Sequence, residues 1–221
     1  GILLRGDVAG ILAAKYLGAD SVSTPVSCNT ALEKSTLFHD VRRTKIGSPF
    51  VVASMIEASF AGCQGVVGYE ANGGFLTNSD LPIAGKELRA LPTRDAVLPV
   101  LSIILLSIQE QKPISALLAD LPQRFTASGR IQDFPTEESR KILDRFDDMS
   151  EIDAVFGEVF DQVRSVDRTD GLRVTFETAE VLHMRPSGNA PEFRCYNEAD
   201  SEERVQEMQK LSMEVLLKLK G

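Results

Sequence analysis

The sequence predicts two domains in series: an α/β domain, a mixed sheet flanked by helices, over residues 1–121, then a smaller α+β domain with an antiparallel sheet over residues 122–221. Three observations carry this. In the first half, short apolar runs alternate with longer helical patterns, the rhythm of an α/β layer structure. After Leu121-Pro122 the rhythm changes, and the short strand-like runs gather near the end of the chain. The charge shifts at the same place: 10 basic and 11 acidic residues precede the cut, 14 basic and 21 acidic follow it, so most of the formal charge of −8 lies in the second half.

The elements follow from local signals. Asp7, then Val8, Ile11, Leu12 and Tyr16, with Gly18 behind Leu17, predict an amphipathic helix with an acidic N-cap and a glycine stop. A strand is expected at about Ser21 to Val26, a short helix from Asn29 to Phe38, and extended chain from Val41 to Ile46. Ser48-Pro49 reads as the N-cap and first residue of a helix that runs to Gly62. Gly65 to Tyr69 reads as a buried strand, and a helix from Thr93 through Gln111 closes the domain. In the second half a strand is followed by a helix capped near Thr136 and an acidic helical stretch from Ser150 to about Phe160. Leu172 to Phe176, Val181 to Arg185 and Phe193 to Tyr196 are short strands, joined by the Asp170-Gly171 turn and the Ser187-Gly188-Asn189 loop. Ser201 with Glu202 and Glu203 opens a last helix, whose end carries Lys218 and Lys220 where cations suit the helix dipole.

Composition narrows the function. The longest apolar stretch, Val97 to Ile108, is broken by Pro99, Ser102 and Ser107 and falls short of the roughly 18–20 residues that span a bilayer, so no membrane partner is expected. No basic run or basic stripe with interleaved aromatics is present, which argues against nucleic acid. Cys28, Cys63 and Cys195 are scattered, matching neither a disulfide framework nor a paired metal-ligand pattern, and favour a reducing, cytoplasmic setting. The opening GILLRGDVAG has no secretory signal pattern.

Four segments can carry chemistry. RPSGNAP, Arg185 to Pro191, places a guanidinium, a hydroxyl, a glycine and a carboxamide in one loop between strands. Arg185 can hold phosphate bidentately while Ser187, Asn189 and backbone N–H groups at Gly188 donate to its other oxygens; composition alone also allows a hairpin loop with a surface arginine. GYEANGG, Gly68 to Gly74, puts Glu70 and Asn72 on a turn opened by glycines, where a carboxylate can accept from two adjacent sugar hydroxyls. The plain alternative is an Asn-Gly turn with Glu70 directed to water. In RTKIGSPF, Lys45 and Ser48 are the polar candidates; a solvated strand lysine and a helix cap are the alternatives. In TRDAVLP, Thr93 reads as a cap. His39 and His183 lack the company of a catalytic or metal site and read as structural.

These motifs bear a resemblance. RPSGNAPEFRCYNEA is similar to the phosphate-binding loop of the α-D-phosphohexomutase family, written RPSGTEP or RASNTEP elsewhere, with departures at Asn189 and Ala190. GYEANGG resembles the family's sugar-specificity loop, GEMSGH or GEASGH, with Gly74 in place of the usual histidine. RTKIGSPF resembles RTKVGDRY or KTGHSLI of the same domain. The resemblance covers essentially the whole chain in the order of the family's third and fourth domains. It implies a phosphate grip from Arg185, Ser187, Gly188 and Asn189, and sugar contacts from Glu70, Asn72, Lys45 and Ser48. The implied parent interconverts hexose 6-phosphate and hexose 1-phosphate, with mannose phosphates first and glucose and glucosamine phosphates open. The family's phosphoserine loop, TASHNP-like, and its magnesium loop, DGDxDR, have no counterpart here, so catalytic and metal residues in this chain are expected to be none. Magnesium, hexose 1,6-bisphosphate and the N-terminal domains are expected to belong to the parent, and the chain alone to be inactive. A stand-alone, non-catalytic sugar-phosphate-binding protein is the alternative.

Overall fold

A computed structural model of the chain describes residues 3–219. The first sheet is built on three strands that are buried throughout, with a partly buried one, Asp40–Thr44, at its edge. β1 (Ser21–Pro25), β2 (Asp40–Thr44) and β3 (Val66–Tyr69) pair in parallel, and β4 (Phe75–Thr77) returns antiparallel beside β3, giving the order β2-β1-β3-β4. The sheet is therefore mixed, as the sequence predicts. Strand alternation sorts its two faces. Val22, Val67 and Tyr69 join the core beneath α1 (Gly6–Tyr16), to which Ile103 and Leu106 of a later helix also contribute. On the opposite face, Val66 and Leu76 pack with Val51, Met55 and Ala58 of a helix over Ser48–Phe60. That helix is α3; the short α2 covers Ala31–Lys34 and the later helices are α4 (Leu98–Glu110) and α5 (Ile114–Ala119).

Two glycines set how closely α1 approaches the sheet. A Cβ on Gly10 would lie 2.4 Å from Cγ of Tyr69, and one on Gly6 would lie 2.3 Å from the backbone nitrogen of Gly73. The helix thus sits directly against β3 and the turn that follows it.

Several predicted details are corrected. Asp7 lies inside α1 rather than capping it; it is fully buried and its Oδ2 accepts the backbone N–H of Asn29, 3.1 Å away. The Asn29 to Phe38 helix shrinks to the four residues of α2. Gly47, at φ 134°, makes the turn into α3, so Ser48 is already helical and its side chain forms no cap. The helix expected from Thr93 starts at Leu98, because Asp95 is tied to Phe75 by backbone bonds of 2.8 and 3.2 Å and its Oδ1 receives the N–H groups of Val97 and Leu98. A small hairpin, β5 (Leu81–Ile83) with β6 (Lys86–Leu88), was not foreseen; Ala84 and Gly85, both at positive φ, close it.

The chain forms two units that divide between Gln123 and Arg124. In the second, β7 (Phe125–Ile131), β8 (Val163–Asp167), β9 (Leu172–Phe176), β10 (Val181–Pro186) and β11 (Phe193–Ala199) form an antiparallel sheet of order β7-β11-β10-β9-β8. α8 (Glu202–Leu219) supplies Val205, Met208 and Leu216 to its core, and Ser201 Oγ accepts the N–H of Arg204 at its start. α6 (Thr136–Asp144) covers another part. The predicted acidic helix from Ser150 is a single α-turn, α7 (Met149–Ile152), that widens into a π-turn over Asp153–Gly157; Phe156 is thereby packed between Phe146 and Phe160.

Candidate functional site

In the first unit the loops after the parallel strands leave one edge of the sheet, where open α/β sheets hold their ligands. Pro25 pairs with Thr44 and Ser23 with Gly68, so Lys45 and Glu70 each begin a loop at that edge, two strand spacings apart. At roughly 4.8 Å per spacing the backbones stand about 10 Å from each other, with β1 between them.

The turn after β3 is narrow and internally bonded. Glu70 N–H donates to Gly74 O at 2.9 Å, Gly73 N–H to Glu70 O at 3.0 Å, and Gly74 N–H to Asn72 Oδ1 at 2.9 Å. Asn72 is exposed, and with its oxygen engaged the NH2 is the part of the carboxamide left for a ligand. Glu70 does not point to water. Its side chain is 8% exposed, and Oε2 is buried without a hydrogen-bond partner. Arg94, absent from the sequence-based candidates, stands 3.8 Å away through Nε.

Lys45 is exposed, its Nζ 5.9 Å from the centre of the Phe50 ring, and Ser48 is half-buried in the first turn of α3. The neighbouring Arg43 is structural: it donates to both Glu33 oxygens at 2.6 and 2.7 Å and to the carbonyls of Pro25, Cys28 and Asn29, pinning the loop after β1. Burial opposes its charge, and the Glu33 bonds more than restore it, leaving its pKa raised.

In the second unit the RPSGNAP segment is the connection from β10 to β11. Ser187 N–H donates to Glu192 O at 2.8 Å and Ser187 Oγ to Asn189 Oδ1 at 3.0 Å, so serine and asparagine are coupled and the asparagine NH2 is left as donor. Gly188 is exposed, and a Cβ there would meet nothing within 4 Å. Arg185 is the pivot. Its Nε lies 3.2 Å from Asp170 Oδ2, yet misaligned for a hydrogen bond, so the contact is an ion pair with donors to spare.

Arg185, Ser187, Gly188 and Asp170 border a cavity of about 490 Å³ that also takes in Thr136, Arg140 and Arg168, whereas Asn189 does not line it. Arg168 is occupied by the Phe146 carbonyl and by Asp147 at 3.6 Å. Arg140 is exposed and, among the described residues, makes no ion pair or hydrogen bond. Three guanidiniums on separate elements thus border one cavity together with the carboxylates of Asp144 and Asp170, a local excess of positive charge in a chain of net charge −8. Arg140 had a readable signal, lying one helical turn after Thr136; the roles of Arg168 and Asp170 depend on the fold of β9 and β10.

The Asp170-Gly171 turn is braced from behind. Gly171 sits at φ 81°, and a Cβ on it would strike Met184 O at 2.3 Å. His183 Nε2 lies 2.6 Å from Asp170 O, its ring stacks on Tyr196, and burial pushes its pKa down to about 4. A neutral, enclosed imidazole of this kind holds the turn that faces Arg185. Burial also raises the thiols of Cys28 and Cys195 to about 12.

Comparison with known proteins identifies the family of both units. Residues 5–125 match the family model "Phosphoglucomutase/phosphomannomutase, alpha/beta/alpha domain III", and residues 130–214 match "Phosphoglucomutase/phosphomannomutase, C-terminal domain". A phosphomannomutase of Salmonella muenchen is 45% identical over 201 residues, covering 90% of this chain and 41% of the relative. One of Sinorhizobium fredii is 38% identical over 217 residues, covering 98% and 45%. The crystal structure of a phosphoglucomutase/phosphomannomutase family protein from Burkholderia thailandensis superposes with a TM-score of 0.68 at 18% identity, over 100% of this chain and 43% of that one, and so shares the fold. The chain spans less than half the length of these relatives. With both of its units matched, the chain belongs to the phosphoglucomutase/phosphomannomutase family and corresponds to its domain III and C-terminal domain.

Proposed function

We propose that this chain is the sugar- and phosphate-binding half of a phosphohexomutase whose parent interconverts hexose 6-phosphate and hexose 1-phosphate, with mannose phosphate as the preferred substrate. Residues 1–121 form the sugar-recognition domain and 122–221 the phosphate-binding domain. The observation that carries the reading is the arginine-lined cavity on the RPSGNAP loop. Arg185 supplies the charge and the Asn189 NH2 and the backbone at the open Gly188 supply donors to the remaining phosphate oxygens, while Ser187, whose hydroxyl donates to Asn189 Oδ1, holds that carboxamide in place. Glu70 accepts from sugar hydroxyls and the Asn72 NH2 donates, with Lys45 and Ser48 at the neighbouring loop of the same sheet edge.

Phosphoryl transfer rests on positioning and charge stabilisation around the moving group. Here the grips are present and a nucleophile is not assigned: Ser187 Oγ is committed to Asn189, and His183 is turned to Asp170. Among the described residues, no group of three or more His, Cys, Asp or Glu is placed to hold a metal ion. By the family resemblance, magnesium, hexose 1,6-bisphosphate and the transferring residue are assigned to the remainder of the parent, and the chain alone to binding without turnover. No helix among the described residues is long and apolar enough to cross a membrane; the three free thiols favour a cytoplasmic setting.

The test is an amide-detected NMR titration of the chain with mannose 1-phosphate, mannose and inorganic phosphate. Phosphate should move the signals of 185–189, and mannose 1-phosphate those of 70–74 as well. Saturable binding elsewhere, with both loops silent, would refute the proposal.

A further inference from the structure

Glu70 carries a need that its own turn does not meet. A buried carboxylate oxygen without a hydrogen bond costs free energy unless something supplies a donor, and Oε2 of Glu70 has none. The nearest cation, Arg94 Nε at 3.8 Å, is outside hydrogen-bond reach. Two structural arginine pairs elsewhere in the chain close fully. Arg43 holds Glu33 at 2.6 and 2.7 Å, and Arg204 holds Glu180 at 2.6 and 2.9 Å. The Glu70 pair is left open by comparison.

Arg94 nonetheless stands beside anchored backbone. The backbone bonds between Phe75 and Asp95 fix the residue after it, and Asp95 in turn anchors the start of α4. Its aliphatic stem lies over Gly74, where a Cβ would come 2.7 Å from Cδ and 2.9 Å from Cγ. A side chain at 74 would evict the arginine. The side chain remains 57% exposed and, among the described residues, makes no other ion pair or hydrogen bond. A donor fork therefore stands at the rim of the turn above an acceptor with an unfilled lone pair.

We propose that Arg94 is a further specificity-determining residue of the sugar site: its guanidinium donates to a hexose hydroxyl while Glu70 accepts from that hydroxyl or its neighbour. The ligand is the vicinal-diol face of a hexose phosphate, whose hydroxyls are both donors and acceptors and so complete both side chains at once. The inference rests on the reading that Glu70 and Asn72 face the sugar, and the test separates the two.

Calorimetric titrations with mannose 1-phosphate, glucose 1-phosphate and inorganic phosphate are run on the wild-type chain, Arg94→Gln, Arg94→Lys and Glu70→Gln. Arg94→Gln should weaken mannose 1-phosphate by roughly tenfold or more, the worth of a hydrogen bond from a charged donor. It should also change the ratio of mannose to glucose affinities, leave inorganic phosphate binding and the thermal midpoint unchanged, and be partly rescued in Arg94→Lys. Wild-type affinities and ratio in Arg94→Gln, with Glu70→Gln impaired, would overturn the role of Arg94 and leave the sugar site standing. Equal losses for both sugars with a lowered midpoint would make Arg94 a charge partner of Glu70 only, also overturning it. Failure of the wild-type chain to bind either sugar phosphate beyond inorganic phosphate would bring down the sugar-site reading and this inference together.

Discussion

Replacing Arg185 by alanine separates the phosphate grip from ordinary support of the fold. Its side chain is 13% exposed and faces Asp170, itself 17% exposed, across 3.2 Å, so the substitution removes both a ligand cation and the partner of a half-buried carboxylate. Two charged hydrogen bonds to a phosphate, partly screened in an open cavity, should be worth about 2–4 kcal/mol, which is roughly 30- to 1000-fold in Kd. The stability loss should be smaller, about 1–2 kcal/mol, because the Asp170 contact is not an aligned hydrogen bond and solvent reaches both groups. Calorimetry of mannose 1-phosphate binding gives the first quantity and urea unfolding the second. Arg185→Lys, which keeps the charge and loses the fork, should fall between wild type and alanine. A Kd within twofold of wild type in Arg185→Ala, at whatever stability, would refute the assignment of the cavity as the phosphate site.

Gly10→Ala should destabilise the first unit by about 1–3 kcal/mol, since its methyl would lie 2.4 Å from Tyr69 Cγ; an unchanged urea midpoint would mean that α1 is not seated on β3 as described. His183 has a folded pKa of about 4 against an ordinary 6.5, so the unfolded chain takes up the proton first as pH falls. Its contribution should be complete above about pH 6.5 and fade towards pH 4, costing up to about 3 kcal/mol that His183→Gln does not lose, as paired urea melts across that range would register. With Cys28 and Cys195 buried and Cys63 half-buried, a thiol reagent at mild alkaline pH should label Cys63 alone in the folded chain and all three after denaturation. Rapid labelling of Cys28 in the native protein would contradict the packing around β1.

The parts of the fold legible in the sequence are those whose signal is local. β1, β3, β9 and the start of α8 lie at or near their expected positions because short runs rich in β-branched residues, the Asp170-Gly171 turn and the Ser201 cap act within a few residues. β4, β5 and β6 have three residues each and too little sequence to show a period, and β8 alternates poorly around a bulge near Arg164. Helix starts failed where tertiary contacts decided them: Asp7 is drawn inward by Asn29, and Asp95 takes over the start of α4 through its bridge to Phe75. The candidate site shows the same division. Glu70, Asn72 and the 185–189 loop were visible as motifs, whereas Arg94, Arg140 and Arg168 come from other parts of the chain, and only the fold brings them to the two loops.

The central claim, that this chain grips a hexose phosphate while the transferring machinery lies elsewhere in its parent, is tested most directly by a coupled mutase assay. Purified chain would be supplied with mannose 1-phosphate, magnesium and catalytic hexose 1,6-bisphosphate, beside a longer protein that joins it to the upstream half found in its relatives. The account predicts binding without turnover by the chain and mannose 6-phosphate formation by the longer protein, abolished or much reduced in its Arg185→Ala form. Turnover by the chain alone at a rate near that of the longer protein would contradict it.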